Sequence, residues 1–375
     1  MRLIYLDYNA STPIDPAVSA AMKPFLDDQY GNPSSGHWAA AGAKAALKKA
    51  RDQVASLLKC HSDEIVFTSG GSEANNLALK GVFFALRNKG NHIITTQIEH
   101  PAILEPCRFL ERLGAHVTYL PVDRTGMINA DDVRRAITPR TILVSVMHAN
   151  NEVGTIQPIE ECAQIAHEHG VLVHTDAAQS VGKVSTDVNH LGVDLLSIAG
   201  HKVYAPKGVG ALFVRRGLLL EPLIHGAGHE HGRRAGTESA LLASGLGKAC
   251  ELASDLAPME RVRGLRDRFW QELQKQFGNR IVLNGHQAHR LPNTLNVSFV
   301  GRIGTEILER LNGVAASTGS ACHSGRIEVS PVLEAMGIAP EAGLGAIRFT
   351  LGRGTTRDEI DVVVEHLTNV FAAAE

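Results

Sequence analysis

Two short stretches of this chain carry residue types that do covalent chemistry. Ala199-Gly200-His201-Lys202-Val203 sets a lysine beside a histidine and a glycine, just after the apolar run Val193-Asp194-Leu195-Leu196-Ser197-Ile198. Ser317-Thr318-Gly319-Ser320-Ala321-Cys322-His323-Ser324 sets a cysteine among small residues, far from the other four. A lysine near other cations or in apolar surroundings loses its proton more readily, and its neutral amine forms imines with carbonyl groups. A thiolate on a loop of small residues is a nucleophile able to travel. Each feature alone is commonplace. Together they point to carbon–sulfur chemistry on an amino acid.

Two further segments stand at strand ends and widen that reading. Thr68-Ser69-Gly70-Gly71-Ser72-Glu73-Ala74-Asn75-Asn76 follows a strand and opens a helix, where glycines permit close backbone approach and free amides attract anions. It lacks the lysine of a phosphate-binding P-loop and the spacing of a dinucleotide fingerprint. Taken alone it is as well explained by a capped strand-to-helix connection. His174-Thr175-Asp176-Ala177-Ala178-Gln179-Ser180 follows another strand, and an acid there can pair with a cationic heterocycle. Phosphate, ring-nitrogen and imine partners at three strand ends are what pyridoxal phosphate requires.

The elements that must position these groups follow a regular pattern. Short β-rich runs at 65–68, 92–96, 116–120, 141–146, 171–174 and 211–214 alternate with helical stretches at 74–86, 101–113 and 158–169. Near-continuous apolar strands separated by helices predict an α/β fold, with a mainly parallel sheet flanked by helices. From about residue 257 a charged helix (259–277), strand-like runs at 281–283, 294–299 and 346–350, a short helix at 305–311 and a last helix from Arg357 predict a smaller α+β unit. The expected division is a large domain over 16–257, and a small domain from 1–15 and 258–375 that carries the Cys322 loop.

Composition narrows the function classes. The 375 residues are 44% hydrophobic and 20% charged, with a formal net charge of −2, which suits a soluble protein and gives no electrostatic footprint for nucleic acid. No apolar run nears the ~20 residues of a membrane span, and Asp7 arrives too early for a signal peptide, so a cytoplasmic enzyme is expected. Cys60, Cys107, Cys162, Cys250 and Cys322 never form Cys-x-x-Cys, which predicts reduced thiols rather than disulfides or a cysteine zinc site. His167-Glu168-His169 and His229-Glu230-His231 have a metal-like look, but surface histidines explain such pairs more simply. No metal is expected.

Segments along essentially the whole chain resemble the cysteine desulfurases of the NifS/IscS type, within the class-V aminotransferase group of fold-type I pyridoxal phosphate enzymes. The resemblance rests on Tyr5-Leu6-Asp7-Tyr8-Asn9-Ala10, Gly31-Asn32-Pro33-Ser34-Ser35, 69–76, Glu99-His100, 147–154, 176–180, Gly200-His201-Lys202, 233–238 and the Cys322 segment. It implies that Lys202 holds the cofactor covalently, Asp176 pairs with its ring nitrogen, His100 stacks on the ring and moves protons, and Gln179 bonds the phenolic oxygen. It further implies that Gly71, Ser72 and His201 hold the phosphate, with Thr237 reaching the phosphate of a partner subunit in a homodimer. Asn151 would lie between cofactor and substrate, and Arg348 would grip the carboxylate of L-cysteine. Cys322 would take the substrate sulfur as a persulfide for delivery to an acceptor protein, such as an iron–sulfur scaffold.

One position departs from the pattern: Ala199 stands where the family often has a hydroxyl that helps bind phosphate. The loss is about one hydrogen bond, worth about 0.5–1.5 kcal/mol. Selenocysteine lyases also can lack that hydroxyl and share a Cys-His-Ser run like 322–324, which makes them the alternative enzyme. A non-catalytic scaffold for sulfur assembly is the alternative outside enzymes, and intact Lys202, Asp176 and Cys322 argue against it.

Overall fold

The computed structural model of the chain describes residues 3–318, 322–323 and 326–372. Its centre is a seven-stranded sheet. The strands are β1 (Ile65–Thr68), β2 (His92–Thr96), β3 (His116–Leu120), β4 (Thr141–Ser145), β5 (Leu172–Asp176), β6 (Leu195–Ala199) and β7 (Gly210–Val214). Their spatial order is β1-β7-β6-β5-β4-β2-β3, and the run from β3 to β6 is parallel throughout. The expected parallel sheet is therefore present, with β7 as its one reversed strand, antiparallel to both β6 and β1.

Period-2 alternation explains how both faces are covered. Ile65, Phe67, Ile94, Val144, Val173, Leu196, Ile198, Ala211 and Phe213 face one apolar layer, while Val66, Ile93, Leu143, Leu195, Leu212 and Val214 face the other. The first layer is closed by α1 (Ala41–Leu58) and by the helices Ala130–Ala136, Ile159–Glu168 and Ala240–Ala253; the second by α2 (Gly71–Leu86) and α3 (Pro101–Glu111). In α1 the buried positions Ala43, Leu47, Ala50, Val54 and Leu58 repeat at helical spacing and form one stripe. Burying each leucine or valine of that stripe is worth about 1.5–3 kcal/mol. Gly247 lets the helix Ala240–Ala253 press onto α1, because a Cβ there would lie 2.6 Å from the Ala50 Cα.

A second core forms around the antiparallel sheet of Ile281–Asn284, Thr294–Phe299 and Ala346–Thr350. Helices Ala257–Phe277 and Arg357–Ala372 pack on it through phenylalanines: Phe269 on Phe349 at 5.1 Å, Phe277 on Phe299 at 5.5 Å and Phe371 on Phe299 at 5.1 Å, while Phe277 and Phe371 join the two helices at 4.9 Å. Ile4 and Leu6 belong to this core, since Ile4 pairs with Val314 and the Leu6 carbonyl accepts from the Thr350 amide at 2.7 Å.

Several boundaries differ from the sequence reading. The helix expected from Ala74 starts three residues earlier, at Gly71, and the one expected to reach Leu113 ends at Glu111. Helices Ala41–Leu58 and Ala240–Ala253 have no counterpart in that reading. Both are rich in alanine and glycine, which blurs the contrast between faces on which periodicity depends.

Candidate active site

Open parallel sheets gather ligands beyond the C-terminal ends of their strands. A cavity of about 300 Å³ lies there, at the small end of the range for ligand sites. It is walled by Asn9, Ala10, Gly71, Ser72, Asn75, His100, Met147, Asn151, Asp176, Gln179, Ala199, His201, Lys202 and Arg348. The reversed strand β7 explains part of this convergence. Gly210 pairs with Thr68 on one side and Ala199 on the other, so the glycine segment and the lysine turn leave the sheet at one level. Only glycine fits at 210, because a Cβ would lie 2.4 Å from the Ile198 carbonyl oxygen.

Lys202 closes the 3-10 turn Gly200–Lys202 that follows β6. Its Nζ donates to the carbonyl oxygens of Asn9 at 2.5 Å and Ala10 at 2.8 Å. Burial, helped by the Arg348 guanidinium, pushes the ammonium down to about 8, while Asp7 and Asp176 act in the opposite direction. At neutral pH about a tenth of the amine is therefore unprotonated, enough to act as a nucleophile.

Asp176 ends β5 and is buried. One carboxylate oxygen accepts from Asn75 Nδ2 at 2.7 Å and the other from the Ala178 amide at 2.9 Å. These bonds orient an acid that faces the cavity. Glu99 lies behind it, wholly buried, with Oε1 accepting from the Thr96 hydroxyl (2.8 Å) and the Met147 amide (2.9 Å) and Oε2 unpartnered. Burial lifts its carboxyl to about 8, with Asp176 adding to the rise, so Glu99 is protonated at neutral pH. Glu99 thus backs the cavity acid as a neutral hydrogen-bonding group rather than as a second charge.

The start of α2 has no side-chain cap, and its N-cap Gly70 has a φ of 151°, a conformation glycine adopts without strain. Gly71 faces Ala199, and a Cβ at 71 would lie 3.1 Å from the Ala199 Cβ. Bare helix amides over a glycine cradle, with the Ser72 hydroxyl beside them, match the phosphate end of pyridoxal phosphate. Lys202 and Asp176 match its aldehyde and its ring nitrogen. The residues present fit the group. His201, half-buried with Nδ1 3.4 Å from the Ser11 hydroxyl, is pushed down to about 4 by burial and by Lys202, Lys207 and His100. It therefore meets an anion as a neutral hydrogen-bond donor.

His100 caps α3, and its Nδ1 accepts from the Ala102 amide at 3.0 Å, which places the neutral ring's proton on Nε2. Burial lowers its proton affinity; Asp176 opposes this and Lys202 adds to it. Gln179 Nε2 donates to the Asn9 carbonyl at 3.0 Å. Arg348, from the strand Ala346–Thr350, donates to the Asn151 carbonyl at 3.0 Å and to Asp7 Oδ1 at 2.7 Å, and its Nε has no partner among the described residues. These bonds use two of its five N–H donors and hold the guanidinium at the cavity wall.

Lys202, Asp176, Gln179, His100, Gly71, Ser72, His201, Asn151 and Arg348 therefore surround one cavity. Thr237 does not join them. It lines a separate cleft of about 180 Å³ with Ser69, Arg234 and Glu238. Cys322 is described along its backbone, paired with Ile327; its thiol lies outside the described residues. The other four thiols are buried or half-buried, and burial pushes each up to about 12. Glu230, of the metal-like His229–His231 triplet, instead forms a two-point ion pair with Arg51, one contact being 2.7 Å. Asn9, Asn75, Asp7 and Glu99, which hold the cavity residues through the bonds above, were missed by sequence reasoning, as was Lys183, whose Nζ donates to Gln179 Oε1 at 2.9 Å. Asn9, Asn75, Asp7 and Glu99 sit inside segments singled out there, but no spacing rule reveals partners that fold in from elsewhere.

The class-V aminotransferase family matches residues 4–363. The cysteine desulfurase IscS of Dictyoglomus turgidum is 50% identical over 374 residues, spanning 99% of this chain and 95% of that protein. The IscS of Methanosarcina thermophila is 46% identical, over 97% and 91%. Among solved structures, a NifS-like protein superimposes with a TM-score of 0.93 at 36% identity, covering 99% of this chain and all of the other. SspA in complex with cysteine matches with a TM-score of 0.84 at 39% identity, covering 94% of this chain and all of that one.

Proposed function

The chain belongs to the class-V aminotransferase family, among its cysteine desulfurases, and from that premise we propose how its residues share the reaction. The enzyme is pyridoxal phosphate-dependent and converts L-cysteine to L-alanine, moving the sulfur to a protein thiol. Bound pyridoxal phosphate supplies an aldehyde for imine formation and a ring that takes up the electron pair released at the substrate α-carbon.

Lys202 Nζ would hold that group and, as a free amine, would take the substrate α-proton. Asp176 would meet the ring nitrogen, and Asn75 keeps Asp176 in place. The α2 amides at Gly71 and Ser72, with the Ser72 hydroxyl and His201, would bind the phosphate. Gln179 would donate to the phenolic oxygen. Arg348 and Asn151 would receive the substrate carboxylate through a charge-assisted fork. His100 would lie over the ring, with its Nε2 the site of proton transfer to and from the substrate thiol.

Cys322 attacks the substrate sulfur as a thiolate. The new S–S bond forms as the substrate C–S bond breaks, the bonding pair passes to the carbon fragment, and protonation gives alanine. The balance is cysteine plus enzyme thiol to alanine plus enzyme persulfide. No outside oxidant is needed. The choice of Cys322 is favoured by the other four thiols, which burial holds protonated.

The observation that carries this reading is the meeting of Lys202, Asp176, the uncapped α2 start and Arg348 around one cavity. We further propose the division into 16–257 and 1–15 with 258–375, a cytoplasmic location, and a homodimer. Exposed Leu26, Tyr30 and Trp38 supply an apolar surface for a second copy, and the Thr237 cleft would meet the phosphate of that partner's site. The sulfur acceptor would be an iron–sulfur scaffold or another carrier protein. The test follows alanine release from cysteine and from selenocysteine, with mass spectrometry of the Cys322 peptide. Lys202→Ala should abolish alanine release. Cys322→Ser should abolish persulfide formation from cysteine and keep the cofactor absorbance; sulfide release from cysteine at the parent rate would remove Cys322 from the mechanism.

A further inference from the structure

Lys183 is a second buried lysine next to the cavity, and nothing in the reaction just described uses it. Its Nζ donates to Gln179 Oε1 at 2.9 Å and to Asn9 Oδ1 at 3.2 Å. Among the described residues no carboxylate comes within ion-pair distance of it, and the neighbouring cations Lys202 and Arg348 join burial in pushing it down to about 7. A buried amine with neutral partners is costly, and a methionine would fill the space without that cost. Retaining it calls for a role that needs a donor.

As an ammonium Lys183 offers only N–H donors, whereas a carboxamide is a donor at one end and an acceptor at the other. A carboxamide in a network therefore takes its direction from whichever neighbour cannot reverse. Two neighbours that cannot reverse hold Gln179 in one direction: Lys183 donates to Oε1 at 2.9 Å, and the Asn9 carbonyl, an acceptor only, takes Nε2 at 3.0 Å. That bond uses one of the two amide protons and leaves the second for the cavity that Gln179 lines. Lys183 acts likewise on Asn9. With Oδ1 taken by Lys183 and by Asn293, Asn9 turns Nδ2 to Thr294 Oγ1 at 2.9 Å and to the Asn151 carbonyl at 3.1 Å. The carbonyl of this same Asn9 holds the Lys202 amine.

We propose that Lys183 is a positioning residue that sets the donor direction of Gln179 toward the cofactor, while fixing the Asn9 amide that borders Lys202. The inference rests on the reading that Gln179 donates to the cofactor's phenolic oxygen. A reversed Gln179 would present an oxygen to an oxygen there, turning attraction into repulsion.

The test uses pyridoxal phosphate itself, titrated into apoprotein, with its dissociation constant and the pH midpoint of its visible absorbance as readouts. Far-ultraviolet circular dichroism of each apoprotein checks the fold. Lys183→Met should weaken cofactor binding about tenfold and move the midpoint in the same direction as Gln179→Leu, as expected for one bond to a charged oxygen. The double variant should bind no more weakly than the worse single one. Lys183→Met with parent-like affinity and midpoint, beside a perturbed Gln179→Leu, overturns the inference and leaves the Gln179 reading standing. An unperturbed Gln179→Leu overturns both. If Lys183→Met does not fold, Gln179→Glu decides: it still accepts from Lys183 but cannot donate to the cavity, so it should match Gln179→Leu, and a parent-like midpoint overturns the inference.

Discussion

Glu99→Gln separates charge from shape at the acid behind Asp176. The substitution keeps an oxygen to accept from Thr96 and Met147 and changes the volume little. Burial raises the carboxyl to about 8 in the folded protein, against 4.5 for the exposed group. The folded state thus binds the proton more tightly than the unfolded chain, and the stability this gives is complete below about pH 4.5 and lost as the pH rises through about 8. Between pH 6 and 9 the wild type should lose about 2–3 kcal/mol from this one group, a loss that glutamine cannot suffer. Lys183 and Lys202 titrate in the same window with the opposite slope, but both proteins contain them, so the difference between the two curves isolates Glu99. Urea unfolding of the apoproteins at fixed protein concentration, at half-unit steps from pH 6 to 9, gives that difference. The curves should diverge, with the variant gaining on the wild type as the pH rises. Parallel curves would refute the claim that Glu99 is held protonated beside Asp176.

Other substitutions probe the remaining contacts. Ala199→Ser places a hydroxyl opposite Gly71 at the phosphate end, and should tighten cofactor binding roughly 2- to 12-fold by equilibrium dialysis, the worth of about 0.5–1.5 kcal/mol; weaker binding would show that the cradle is already full. Arg348→Lys keeps the charge but loses the planar fork, and should raise the KM for cysteine about 10- to 100-fold. A KM within twofold of the parent would move carboxylate recognition elsewhere. Alkylation of the native apoprotein at pH 7.5 should modify one thiol per chain rapidly, and Cys60, Cys107, Cys162 and Cys250 only on unfolding. Two fast thiols would contradict the burial argument. Buried neutral His148 and His174, pushed down to about 4 and about 3, must take up protons on unfolding, so apoprotein stability should fall as the pH drops below about 6.5. His174→Asn should make that fall shallower in the same urea series, and an unchanged slope would exclude His174 as its source.

Three of the groups that line the cavity were legible because chemistry restricts their types and strand ends restrict their places. Lys202, Asp176 and Ser72 each follow an apolar run that could be read directly. Their supports were not legible, because each depends on a partner remote in sequence. Asn75 and Asp176 are 101 residues apart, Gln179 and Asn9 are 170 apart, and Asp7 and Arg348 are 341 apart. An asparagine in a loop is usually a turn former, and only the folded chain shows Asn9 meeting Lys183, Asn293, Thr294 and Lys202. The direction of β7 was hidden for a similar reason. Its residues are as apolar as those of the parallel strands, and its reversal is visible only in its pairing.

The N-terminal segment completes the cavity through bonds to a strand near the other end of the chain. Asn9 reaches Thr350 through its amide at 3.0 Å, and Leu6 through its carbonyl at 2.7 Å. On the ribosome, residues 6–10 are made some 340 residues before these partners exist. The lysine, the acid and the glycine cradle are all translated and can fold in that interval, yet the wall that orients Gln179 and anchors Arg348 is missing. Cofactor capture in its final form is thus deferred until the strand Ala346–Thr350 has been made. A nascent chain stalled before residue 346 would have to expose Leu6 and the unpaired face of Thr294–Phe299, and would be a substrate for chaperones rather than an early holoenzyme.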